Sequence, residues 1–154
     1  MKLIVGSDHL GRALKDTLVE HLRAQGHEVD DAGAPDDSPV DYPDIALVVA
    51  EDVAAKAHER GILVCGTGIG MAITANKVPG IRAAQISDPY GAERAAKSND
   101  AQIVTLGALT TGPETAKLLV DSYLASEFAG GRSAPKVAKI DAVDRKYREP
   151  RAKE

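Results

Sequence analysis

Short apolar runs alternate with helix-spaced stretches along nearly the whole chain, and this alternation constrains the fold more than any other feature. Lys2–Gly6, His27–Asp31, Gly61–Val64, Ile81–Ile86 and Gln102–Leu106 are rich in β-branched residues and bounded by turn signals, so they read as buried strands. Between them, Leu10, Leu14, Leu18 and Leu22 recur every four residues on one helical face. Ile45, Val48, Val49, Asp52 and Val53 show a similar spacing after Pro43, which suits a first helical turn. Asp88-Pro89 and Gly112-Pro113 mark two further helix starts. The alternation predicts an α/β protein, a parallel sheet with helices on both faces.

The last part departs from it. Residues 113–125 and 134–147 both read as helices, separated by Gly130-Gly131-Arg132-Ser133. Val137, Ile140, Val143 and Tyr147 form an apolar stripe on the second, which predicts packing either on its own sheet or on a partner subunit. Residues 148–154 read as a frayed tail, leaving one domain over 1–147. The N-terminus runs straight into a strand and has no signal-peptide pattern. No apolar stretch is long enough to span a membrane. A single cysteine excludes an internal disulfide and fits a reducing cytosol, so a cytoplasmic location is expected. A net charge of −4, with one Phe, four Tyr and no Trp, gives neither the cationic footprint nor the stacking platform of a nucleic-acid binder.

Ligands of open parallel sheets bind at the carboxyl ends of the strands. There the first run ends in Ser7-Asp8-His9, the third in Cys65-Gly66-Thr67-Gly68-Ile69-Gly70 and the fourth in Ser87-Asp88. A thiol leading into a glycine-rich turn has backbone N–H groups nearby that could hold an anion and favour a thiolate. Plain readings stand beside this one. Cys65 alone would be a small buried residue, Asp8 a cap for the Leu10 helix, and His9 surface decoration. His21, His27 and His58 read as structural. Arg132 and Lys136, one helical turn apart, suit a phosphate or plain solvation. Met71 stands where a Cys-x5-Arg phosphatase loop needs Arg, no Walker A Lys follows the glycines, and the Gly spacing is wrong for a dinucleotide fingerprint. One Cys and scattered His give no metal-ligand spacing.

Gly6-Ser7-Asp8-His9, Asp41-Tyr42-Pro43, Cys65–Gly70, Ala75-Asn76-Lys77-Val78-Pro79-Gly80-Ile81-Arg82 and Ser98-Asn99-Asp100 stand in the order seen in type B ribose-5-phosphate isomerases. The chain resembles that family, which includes galactose-6-phosphate isomerase subunits, over about residues 1–147. The resemblance implies a Rossmann-like three-layer α/β/α fold with a five-stranded parallel sheet and an additional C-terminal helix. It implies a metal-free, cofactor-free aldose–ketose isomerase working through a cis-enediolate on a small phosphorylated sugar. Cys65 is then the base, and the N–H groups of Gly66, Gly68, Ile69 and Gly70 face the enediolate oxygen. Thr67 positions the reacting end or opens a sugar ring. Asp8 and His9 bind substrate hydroxyls or phosphate, Tyr42 lines the site, Asn99 binds the sugar end, and Arg132 with Lys136 binds phosphate. Asn99 precedes the fifth strand, at the amino edge of the sheet, so it could act beside Cys65 only from a second chain. The family is a homodimer with shared sites, and a tetramer would be the next level of assembly.

Three positions depart from the family pattern. Ser98 replaces a ring-opening His and is a poor acid near neutral pH. Leu109 replaces a phosphate-binding Arg, and Ser133 replaces a His. A tetrose 4-phosphate has no hydroxyl placed to close a five-membered ring, so losing a ring-opening acid costs it little. Ribose 5-phosphate is therefore the expectation from the family and erythrose or erythrulose 4-phosphate the alternative. A non-catalytic sensor of sugar phosphates or nucleotides is an alternative of another class; a thiol redox protein would lack a resolving Cys.

Overall fold

The computed structural model describes residues 1–148. Five parallel strands, β1 (Lys2–Ser7), β2 (Glu28–Asp31), β3 (Arg60–Cys65), β4 (Ala83–Gln85) and β5 (Ile103–Gly107), form one sheet in the order β2-β1-β3-β5-β4. Six helices accompany them: α1 (Arg12–Ala24), α2 (Tyr42–Ala54), α3 (Ile69–Ala75), α4 (Pro89–Lys97), α5 (Pro113–Leu124) and α6 (Ala134–Arg148). The three-layer α/β arrangement expected from the alternation is the one observed. β4 is shorter than the Ile81–Ile86 run, because only its middle pairs with β5.

Successive residues of the strands feed opposite faces. Leu3, Val5, Ile62 and Val64 meet Leu14, Leu18 and Leu22 of α1, the alanines of α4, and Leu119 and Tyr123 of α5. Ile4, Leu63, Cys65 and Ile103 meet Ala46, Val49, Ala50 and Val53 of α2 and Met71 and Ala75 of α3. The α2 stripe is thus carried by Val49 and Val53, while Val48 is exposed. Leu10 lies outside α1 and is exposed. The Asp8 carboxylate accepts the Gly11 N–H at 2.9 Å and holds a turn there, so the helix begins only at Arg12. Asp88 caps α4 as expected, accepting the Gly91 N–H at 2.7 Å. The structural reading of the histidines fits their partners: His21 pairs with Asp121, His58 with Asp30, and His27 lies by the N-terminal amine.

α6 is attached chiefly by polar contacts. Arg82 Nη1 donates to Asp141 at 2.8 Å, the Gly80 N–H to Asp144 at 2.9 Å, and Arg148 to the Lys77 carbonyl at 2.6 Å. The Gly80 N–H, then Arg148, hold Asp144 below the usual carboxylate range. The contact therefore contributes above that range and weakens as pH falls through it. Of the apolar stripe only Val137 is buried; Ile140, Val143 and Tyr147 are 44%, 59% and 68% exposed. Packing on its own sheet thus accounts for little of the stripe. Arg148 is helical, within α6, rather than part of a tail, and residues 149–154 lie outside the described residues. No helix among the described residues is long and apolar enough to cross a membrane.

Tyr123 joins α5 to the start of β5. Its buried hydroxyl donates to the Ala101 carbonyl at 2.7 Å, and burial pushes the phenol above its ordinary range. Tyr123→Phe removes that bond and leaves a buried carbonyl unpaired. It is expected to cost about 1–2 kcal/mol and to lower Tm by roughly 2–6 °C in calorimetry. An unchanged Tm would show that the hydroxyl contributes nothing.

Candidate active site

The strand order reverses between β1 and β3, since the chain leaves β1 toward β2 and later returns to β1's other side. A crevice at such a point, beyond the strands' carboxyl ends, is where open α/β sheets bind ligands. The residues there are Asp8 and His9 after β1, and Cys65 with its glycine-rich turn after β3.

Cys65 is 4% exposed, and its Sγ accepts the Gly68 N–H at 3.1 Å. Gly68 holds φ +78°, and a Cβ there would lie 2.9 Å from the Leu106 carbonyl carbon, so no other residue fits this turn without strain. Thr105 fixes the turn from below, its buried Oγ1 donating to the Gly68 carbonyl at 2.7 Å. Thr67 is exposed, and its Oγ1 accepts the Ile69 N–H at 3.3 Å. The N–H groups of Gly68 and Ile69 are thus engaged within the loop, and an oxyanion there competes with those contacts. The Tyr42 ring lies against Gly70, where an added Cβ would come within 2.4 Å of it. Leu10 and Leu109 flank Gly66 from outside and are 54% and 74% exposed. Met71, which follows the loop, is fully buried in the core.

Asp8 is 4% exposed and serves the Gly11 turn, not the first turn of α1, so the cap reading holds in a modified form. The His9 Nδ1 lies 3.1 Å from the Val40 N–H and 3.3 Å from the Val40 carbonyl oxygen, so the ring is tied to the loop before α2 through this nitrogen.

The other candidates gather at the opposite edge of the sheet. Ser98 follows α4, and its Oγ accepts from Arg94 Nη1 at 3.3 Å. Asn99 is exposed in the turn before β5. The Ala129 N–H donates to the Lys97 carbonyl at 3.2 Å, which brings the approach to α6 beside the same end of α4. Arg132 and Lys136, both exposed, follow there. One chain thus unites Asp8, His9, Tyr42, Cys65, Thr67 and the glycines at the carboxyl edge. It does not bring Ser98, Asn99, Arg132 or Lys136 to them.

Thr105, Arg94 and Arg82 escaped the sequence reading as residues supporting these edges. Thr105 had a signal, a hydroxyl inside the apolar run Ile103–Leu106. Among the described residues, no group of three or more His, Cys, Asp or Glu is placed to hold a metal ion.

Comparison with known proteins identifies the family. Residues 3–140 match the model of the ribose/galactose isomerase family. The chain is 53% identical over 148 residues to a protein of Listeria innocua named ribose-5-P isomerase B, covering 96% of this chain and 100% of that one. It is 48% identical over 142 residues to the D-erythrulose-4-phosphate isomerase of Pectobacterium atrosepticum, covering 91% and 93%. The solved ribose-5-phosphate isomerase B of Clostridium thermocellum superposes with a TM-score of 0.94 at 46% identity, covering 96% and 99%. The chain belongs to the ribose/galactose isomerase family and is a sugar-phosphate aldose–ketose isomerase.

Proposed function

We propose that the protein interconverts the aldose and ketose forms of a short-chain phosphosugar through a cis-enediolate, with the Cys65 thiolate as base. The observation that carries this reading is the position of Cys65. It is the one thiol of the chain, it ends β3 at the switch point, and a backbone N–H is directed at its sulfur. The thiolate takes the proton from the carbon beside the carbonyl. The electron pair forms the enediolate double bond, and the carbonyl oxygen becomes the oxyanion. The thiol then returns its proton to the former carbonyl carbon, while a proton passes from the second oxygen to the first. Loop N–H groups that turn from their internal contacts to the developing charge lower the barrier. Asp8, His9 and Tyr42 bind the sugar hydroxyls, and Thr67 orients the reacting end.

Asn99 for the sugar end, and Arg132 and Lys136 for phosphate, come from a second copy of the chain, because their own chain holds them at the far edge. Residues 1–147 act as one cytoplasmic domain within that homodimer. The exposed face of Ile140, Val143 and Tyr147 supports an α6 that packs on the partner.

The substrate is a ribose or a tetrose phosphate. Ser98 favours the tetrose: its oxygen accepts from Arg94, and a hydroxyl is a weak acid for opening a furanose ring. One relative bears the name of a tetrose-phosphate isomerase and another that of a pentose-phosphate isomerase.

Cys65→Ala is expected to lower kcat by about 1,000-fold or more while leaving Tm nearly unchanged, since the change in volume is small. A kcat within tenfold of the unchanged protein would exclude Cys65 as base. In a coupled assay, kcat/KM for erythrulose 4-phosphate should exceed that for ribose 5-phosphate. A ribose preference above about tenfold would sink the tetrose reading and leave the isomerase intact.

A further inference from the structure

Arg82, just before β4, has a side chain 15% exposed that touches two separate segments of the amino edge. Its Nε donates to the carbonyls of Asn99 at 3.2 Å and Asp100 at 3.0 Å, and its Nη2 to the Asp100 carboxylate at 3.1 Å. Its Nη1 donates to Asp141 of α6 at 2.8 Å. Arg82 is itself held, its N–H donating to Gln102 Oε1 at 2.8 Å and its carbonyl accepting the Gln102 N–H at 3.1 Å. Asp100 stands at φ +48°, a conformation that residues other than glycine seldom hold without support. The planar guanidinium supplies that support in a fixed geometry that a lysine does not reproduce.

We infer that Arg82 is a positioning residue for the isomerisation: it holds the Ser98–Asp100 turn and α6 as one rigid unit, which presents Asn99, Arg132 and Lys136 together to the partner's site. The inference rests on the shared-site reading above. α6 has little else to fix it, since Val137 is its one buried side chain and its remaining ties run from Asp144 and Arg148 to residues 76–80. Loss of the Asp141 arm would let Lys136 in the first turn of α6, and Arg132 just before it, drift. Loss of the whole guanidinium would release the Asn99 turn as well.

The test is a set of variants of the full chain assayed with the phosphosugar that it turns over best. Arg82→Gln is expected to lower kcat/KM by about 100-fold. Combined with Asn99→Ala it should cost no more than about twofold beyond the worse single change, because both remove one contact. Losses that multiply in full would overturn the positioning role, since damage unrelated to Asn99 adds independently. Asp141→Asn, at a half-exposed partner, keeps the test open if Arg82→Gln does not fold. It should raise KM about tenfold with kcat within about threefold, and add nothing to Arg132→Ala. An unchanged KM would also overturn the role. If Asn99→Ala and Arg132→Ala are as active as the unchanged protein, the shared-site reading fails and takes the inference with it. If they lose activity and Arg82→Gln does not, only the inference fails.

Discussion

The common direction of the five strands is the constraint on which the rest of this molecule depends. It gives the sheet two chemically different edges. The central strands β1, β3 and β5, of five or six residues, separate those edges by roughly 15–20 Å, further than a side chain reaches. Everything at the carboxyl ends of β1 and β3 therefore shares one crevice, and everything around the end of α4 and the start of α6 belongs elsewhere. The proposed site needs both groups, so the polarity of the sheet itself argues for a second chain.

Within the crevice, the backbone does most of the positioning. Gly68 reaches a left-handed conformation against the Leu106 backbone, and Thr105 holds its carbonyl from beneath. These contacts fix a donor against the Cys65 sulfur. The same loop spends two of its N–H groups on its own sulfur and hydroxyl. In the proposed mechanism the enediolate competes with those internal contacts. The amino edge is built differently, from a guanidinium, carboxylates and carbonyls around Arg82.

Much of this was legible in the residues, for identifiable reasons. Buried parallel strands are continuous apolar runs, and their helices carry stripes, so the layers followed from periodicity alone. The Cys65 loop could be placed because glycines after a strand have few other uses. Leu10 was misread because four-residue spacing continued backwards past a turn that only the Asp8–Gly11 contact reveals. The ends of β4 could not be foreseen, since pairing with β5 rather than composition sets them. Arg82 was seen only as part of a resemblance, because its partners lie 17 to 59 positions away in sequence.

The division of the site between two chains is the central claim, and mixing two inactive proteins tests it most directly. Cys65→Ala and Asn99→Ala proteins are combined in equal amounts, subunits are exchanged, and hybrid formation is verified by native mass spectrometry. Each hybrid would hold one site with both residues intact, so activity should return to about a quarter of that of the unchanged protein. Hybrids that form in full and remain as inactive as their parents would contradict the account.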